Sequence, residues 1–174
     1  SHMVCEEPFY RAGGLVPIYP ILEPSLMLHC GAYKGTLMER LEGMAEILLE
    51  ESGIQSGDIL FLVSNSGRNS VVVEAAIEAR KMGITTVAIT SISHSRQVES
   101  RHKSGKKLYE VTDYVIDNCG IPGDAVIQFD NFNQKVGPKS SIADLTIVNI
   151  IVINTVEKLL AKGIIPPVFI SSNL

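Results

Sequence analysis

The densest chemistry in this chain lies in one short run, Ser64-Asn65-Ser66-Gly67-Arg68-Asn69-Ser70. It follows a continuous apolar segment, Ile59-Leu60-Phe61-Leu62-Val63, and it opens a segment with helical character, 71–82. The first N–H groups of a helix have no internal partner, and the positive end of the helix dipole lies there. Ser64, Ser66 and Ser70 add hydroxyl donors, and Gly67 lets the backbone approach a ligand closely. Such a turn suits a phosphate monoester. A single serine in this place would read as an ordinary N-cap. Three serines, two asparagines and a glycine exceed what one cap uses.

The rest of the chain supplies the elements that hold this turn. Leu15-Val16-Pro17-Ile18-Tyr19-Pro20-Ile21 reads as a short strand near a sheet edge, because its prolines exclude regular pairing. Leu37, Leu41, Met44, Ala45, Leu48 and Leu49 recur at helical spacing and predict one amphipathic helix ending near Ser52-Gly53. The helix over 71–82 stops at Gly83. Ile84 to Thr90 is a second buried strand, rich in β-branched residues. A polar stretch, 91–107, leads to strands at 114–117 and 125–129. Gly137-Pro138-Lys139-Ser140-Ser141 precedes a long helix over 142–162, and a tail runs over 166–172. Apolar strands alternating with helices predict an α/β fold: a three-layer αβα sandwich with a mostly parallel sheet covered on both faces. Ligands of such folds sit at the carboxyl ends of the strands, where Ser64–Ser70 and the stretch after Thr90 fall.

Composition narrows the function classes. The 174 residues suffice for one domain, and 45% hydrophobic with 20% charged residues indicate a globular protein. A net charge of −4 argues against nucleic acid as the main partner. Cys5, Cys30 and Cys119 are scattered, form no zinc-ligand pattern, and point to a reducing, cytoplasmic compartment. The apolar stretch 142–165 is interrupted by Asp144, Glu157, Lys158 and Lys162, which speaks against a membrane span. No His/Asp/Glu cluster suggests a metal, and no GxGxxG turn suggests a dinucleotide, so no cofactor is expected.

Strand, Ser-x-Ser-Gly-x-x-Ser, helix, then Gly-Ile-Thr-Thr-Val-Ala-Ile-Thr resembles the sugar isomerase (SIS) domain family. The later Asp113-Tyr114-Val115-Ile116-Asp117 fits the same pattern. The best-matched part is about 57–118. The opening and closing segments look like an uncharacterised bacterial subfamily of SIS proteins. The resemblance implies binding of a phosphorylated sugar or amino sugar. It implies either isomerase or related lyase chemistry, or a non-catalytic sensor acting through a partner. Carried onto this chain, Ser64, Asn65, Ser66, Gly67, Asn69 and Ser70 hold the phosphate. Ser140 and Ser141, at the mouth of the last helix, complete the sugar pocket. The family has Thr or Ser two places after the glycine, where this chain has Asn69 followed by Ser70.

The family also begins with a helix and a strand before a Gly- and Ser-containing loop. On that pattern the chain is a single domain, 1–174, short of a native N-terminal helix and strand. Ser1-His2-Met3 then reads either as the remnant of that loop or as the scar of a cleaved tag. Moving a proton between adjacent sugar carbons needs a general base, and ring opening needs an acid. Glu7, Glu6 and Asp144 are the candidates, against solvated-face readings for the glutamates and helix-dipole pairing for Asp144. His94 is the best placed of the lone histidines. The long apolar helix, with Ile147, Val148, Ile150, Ile151 and Val152 nearly all round, predicts a homo-oligomer, a dimer or tetramer.

Overall fold

The computed structural model describes residues 1–173. In chain order its helices are α1 (His2–Glu6), α2 (Ala32–Met38), α3 (Met44–Ser52), α4 (Ser70–Lys81), α5 (Ile92–Ser95), α6 (Leu108–Val111) and α7 (Ser140–Ala161). Its strands are β1 (Ile59–Val63), β2 (Thr85–Thr90), β3 (Tyr114–Asp117), β4 (Ala125–Ile127) and β5 (Val136–Pro138). Two compact units emerge: Glu23–Ser140, and Ser1–Leu22 together with the chain from Ser141 onward.

The unit Glu23–Ser140 is built on a parallel sheet in the order β1-β2-β3. Ile59 pairs with Thr85 and Val63 with Ile89, while Val87 pairs with Tyr114 and Thr90 with Asp117. The central strand β2 is buried from Thr86 to Thr90. The edge strand β1 alternates instead: Leu60 and Leu62 are buried, and Ile59 and Phe61 are exposed. Burial on both faces is thus seen along β2, while β1 alternates and β3 is largely exposed. Helix α4 packs on β1 and β2 through a small-residue face that includes Val73, Ala76 and Ala79, none of them accessible.

Two carboxylates fix this frame from a distance. Glu74, on α4 and 7% exposed, accepts from the Gly43 N–H at 2.8 Å and the Ala45 N–H at 3.2 Å. It thereby supplies the cap that α3 has no local residue to provide. Gly43 sits at φ 86°, so the single helix expected over 37–52 is broken into α2 and α3 there. Asp113 accepts from the Thr86 N–H at 2.9 Å and the Thr86 hydroxyl at 2.8 Å, and pairs with Arg80 at 3.0 Å. These bonds lock the start of β3 to β2.

Two further expectations are corrected. Segment 15–21 forms no strand; only Leu15 bridges, antiparallel, to Val168. The tail is thus a pairing partner, with Phe169 N–H donating to the Gly14 carbonyl at 3.0 Å. The strand expected over 125–129 is shorter and lies outside the parallel sheet, as β4 paired antiparallel with β5. Helix α7 runs for 22 residues, and Val148 and Val152 are buried along it. No helix among the described residues is long and apolar enough to cross a membrane.

Candidate functional site

The Ser64–Ser70 turn lies at the carboxyl end of β1. The backbone runs on in the sheet for one more bond, from Ser64 N–H to the Ile89 carbonyl at 3.0 Å. It then folds over itself, and the Gly67 N–H donates to Ser64 Oγ at 3.1 Å. Gly67 sits at φ +57° among three buried residues: a Cβ there would stand 3.1 Å from Leu108 Cβ, 3.2 Å from Thr90 Oγ1 and 3.4 Å from Ser95 Oγ. Only glycine meets both the handedness and the space. The Gly67 carbonyl accepts from Leu108 N–H at 2.8 Å, which pins the back of the turn to α6.

The ends of the neighbouring strands tie to the same turn. The Asn65 carbonyl accepts from Ser91 N–H at 3.1 Å and from the Thr90 hydroxyl at 3.3 Å. The Asn65 side-chain oxygen accepts from Asn118 Nδ2 at 3.2 Å. Asn118 Oδ1 accepts in turn from Gly120 N–H, and the Ser91 hydroxyl donates to the Gly120 carbonyl, both at 2.8 Å. Asp117 holds the loop by accepting from Ile92 N–H at 3.2 Å and Cys119 N–H at 3.0 Å. The carboxyl ends of all three parallel strands thus form one hydrogen-bonded rim.

The serines divide their work unequally. The Ser70 hydroxyl is fully buried and donates to the Arg101 carbonyl at 2.9 Å. Ser64 accepts from Gly67. The half-buried Ser66 hydroxyl has no protein partner among the described residues, and neither do the N–H groups of Ser66, Arg68 and Asn69. Asn69 is the N-cap residue of α4 yet makes no side-chain cap bond. Its Oδ1 accepts from Arg101 Nη1 at 2.8 Å. The Val71 N–H is taken by the Glu39 carbonyl at 3.2 Å. No serine of the motif therefore caps α4.

The other sequence candidates divide between the two units. Ser140 shares the unit of the turn, and its N–H and hydroxyl both donate to Asp124, at 2.8 and 2.7 Å. Lys139 Nζ donates to the Cys119 carbonyl at 2.8 Å, so the start of α7 is tied to the loop after β3. Ser141, Asp144, Glu6 and Glu7 belong to the second unit. Asp144 is 3% exposed, whereas Glu6 is exposed. Glu7 pairs with Arg11 at 3.5 Å, accepts from Asn149 Nδ2 at 3.5 Å, and borders a cleft of about 130 Å³. His94 accepts from Gly123 N–H at Nδ1, 2.9 Å, which leaves Nε2 to carry the proton of the neutral ring.

Sequence reasoning missed Asn118, Glu39 and Arg101 as neighbours of the turn. Asn118 had a signal, since it follows the last residue of a parallel strand. Glu39 and Arg101 lie 30 or so positions from the turn and had none. Burial pushes the Glu39 carboxyl above its ordinary range, against the lowering effect of its bond to Asn69. Among the described residues no group of His, Cys, Asp and Glu is placed to hold a metal ion.

A family model for the SIS domain matches residues 1–91 of the chain. The chain is 42% identical over its whole length to a UPF0309 protein of Geobacillus thermodenitrificans, of which it covers 70%. It is 46% identical over 99% of its length to a UPF0309 protein of Shouchella clausii, again covering 70%. A UPF0309 protein of Listeria innocua is 42% identical at the same coverage. Among solved structures, the Vibrio vulnificus NanR protein complexed with ManNAc-6P aligns at 19% identity and a TM-score of 0.42. That alignment covers 79% of this chain and 47% of the other.

Proposed function

The chain belongs to the SIS domain family and to the UPF0309 proteins, and from that premise we propose that it binds a phosphorylated sugar or amino sugar through the Ser64–Ser70 turn. One observation carries this reading. The turn stands at the positive end of the twelve-residue helix α4, with a hydroxyl and three N–H groups that no group among the described residues satisfies. A phosphoryl dianion supplies acceptor oxygens for Ser66 Oγ and for the N–H groups of Ser66, Arg68 and Asn69. Ser64 and Gly67 hold the turn open, and Ser70 contributes through its backbone while its hydroxyl anchors the Arg101 loop. Asn65, half-buried at the rim, faces the sugar hydroxyls in this reading, with Ser140 as a further contact.

The reading extends to isomerase or lyase chemistry, with Glu7, Glu6 and Asp144 as the acid–base candidates. A second reading, a sugar-phosphate sensor without turnover, is favoured by one observation: Glu7 is already engaged with Arg11 and Asn149. The test is ³¹P and ¹H NMR of the chain with hexose 6-phosphates, hexosamine 6-phosphates, their N-acetyl forms and N-acetylmuramic acid 6-phosphate. Inorganic phosphate is the control. Broadening or shift of a sugar phosphate resonance, absent in Ser66→Ala, supports binding at the turn. New sugar signals over time, lost in Glu7→Gln or Asp144→Asn, select the enzyme. Binding with no new signals selects the sensor. No perturbation by any phosphosugar overturns the proposal.

A further inference from the structure

We propose that Arg40, Arg68 and Arg101 form a second anion subsite beside the serine turn, so that the ligand carries two negative groups: the phosphate and a further oxyanion, carboxylate or phosphoryl. The inference rests on the reading of the turn as a phosphate site and names its ligand class.

Three separate segments are tied to one spot. Arg101 N–H donates to the Arg68 carbonyl at 2.8 Å, and Arg101 Nη1 reaches Asn69. The Arg101 carbonyl takes the Ser70 hydroxyl, and the Glu39 carbonyl takes the Val71 N–H, which brings Arg40 alongside. Burial first, and then the like charges of Arg68 and Arg40, press the Arg101 pKa down, with Glu39 acting against them. That carboxylate is itself pushed toward its neutral form by burial. The ion pairs among the described residues involve Arg11, Arg80, Lys81 and Lys103, and none of these three arginines. Arg68 Nε is out of reach of solvent and has no hydrogen-bond partner among the described residues. A buried donor left unpaired is costly, and clustered like charges raise the cost further. An oxyanion offsets the like-charge cost, and guanidinium groups match its planar geometry.

The test is isothermal titration calorimetry of the whole chain with three probes: glucose 6-phosphate, 6-phosphogluconate and fructose 1,6-bisphosphate. At least one two-charge probe is expected to bind about tenfold or more tightly than glucose 6-phosphate, and which one does so identifies the second oxyanion. In the Arg40→Gln/Arg101→Gln variant, whose altered side chains are both exposed, that ratio falls to near one. A ratio near one in the natural chain overturns the second subsite alone, provided glucose 6-phosphate binding remains sensitive to Ser66→Ala. A ratio that survives in the double variant does the same. A two-charge preference indifferent to Ser66→Ala overturns the serine-turn reading, and with it the ranking of the arginines as second. Failure of all three probes to bind overturns both.

Discussion

Gly67→Ala tests the physical account of the turn most sharply. The left-handed conformation at φ +57° costs a residue with a Cβ roughly 1–2 kcal/mol. The new Cβ would also stand 3.1 Å from Leu108 Cβ, 3.2 Å from Thr90 Oγ1 and 3.4 Å from Ser95 Oγ. Leu108, Thr90 and Ser95 are all fully buried and cannot swing aside. Overpacking of that kind adds about 1–3 kcal/mol. The expected loss is therefore about 2–5 kcal/mol, a shift of the melting temperature by roughly 2–4 °C per kcal/mol for a chain of this size. Gly53 provides the internal control. It has φ +71° but nothing within 4 Å of its Cβ position, so Gly53→Ala carries only the conformational cost of about 1–2 kcal/mol. Urea unfolding of both variants measures the difference. If Gly67→Ala loses no more stability than Gly53→Ala, the turn is not packed as described, and the argument for a glycine fixed by its neighbours collapses.

Other expectations follow from single groups. Glu74→Ala strips the acceptors from two N–H groups at the start of α3 and is expected to cost about 3 kcal/mol in urea unfolding, with Glu74→Gln costing less; equal losses would contradict the capping role. The Thr86 N–H and hydroxyl, with Arg80 behind them, hold the Asp113 carboxyl below its ordinary value. Its stabilising effect is thus complete above the ordinary carboxylate pKa of about 4 and is lost as pH falls through the lowered folded value. Stability measured against pH should show a shallower acid limb in Asp113→Asn than in the natural chain. Burial pushes the Cys5 thiol up, whereas Cys30 and Cys119 are exposed. Timed alkylation followed by mass spectrometry should therefore modify Cys5 last, and early modification of Cys5 would refute its burial.

The part of the fold around the turn was legible because its signals are local. An apolar run bounded by polar turn residues gave β1, and a helical stretch stopped by Gly83 gave α4. The β-branched run after it gave β2. Together these define the parallel α/β core of an SIS αβα sandwich. What escaped depends on distant partners. The apolar spacing from Leu37 to Leu49 runs unbroken through Gly43, and the break needs Glu74, 31 positions away, to accept the Gly43 N–H. Leu15 looks strand-like, yet its bridge is to Val168 at the far end of the chain. The β4–β5 pair is three residues a side, too short for periodicity to separate from loop. The same distinction holds at the site. Ser64 to Ser70 announce themselves as a cluster, whereas Arg101 and Glu39 reach the turn only through tertiary bonds. Nor does composition reveal that the Ser70 hydroxyl is consumed by Arg101 while that of Ser66 has no hydrogen-bond partner among the described residues.

The central claim is that the Ser64–Ser70 turn receives the phosphoryl group of a sugar phosphate. Thermal unfolding of the natural chain and of Ser66→Ala, each titrated with hexose and hexosamine 6-phosphates, tests it most directly. A ligand specific for the folded state stabilises by mass action, about 2.7 kcal/mol at a hundredfold excess over Kd. The account predicts a concentration-dependent rise in melting temperature for at least one sugar phosphate, absent with inorganic phosphate at the same concentration. It predicts that Ser66→Ala weakens or abolishes that rise without lowering the melting temperature of the free chain, since the Ser66 hydroxyl makes no hydrogen bond among the described residues. An equal rise in both proteins, or no rise with any sugar phosphate, would contradict it.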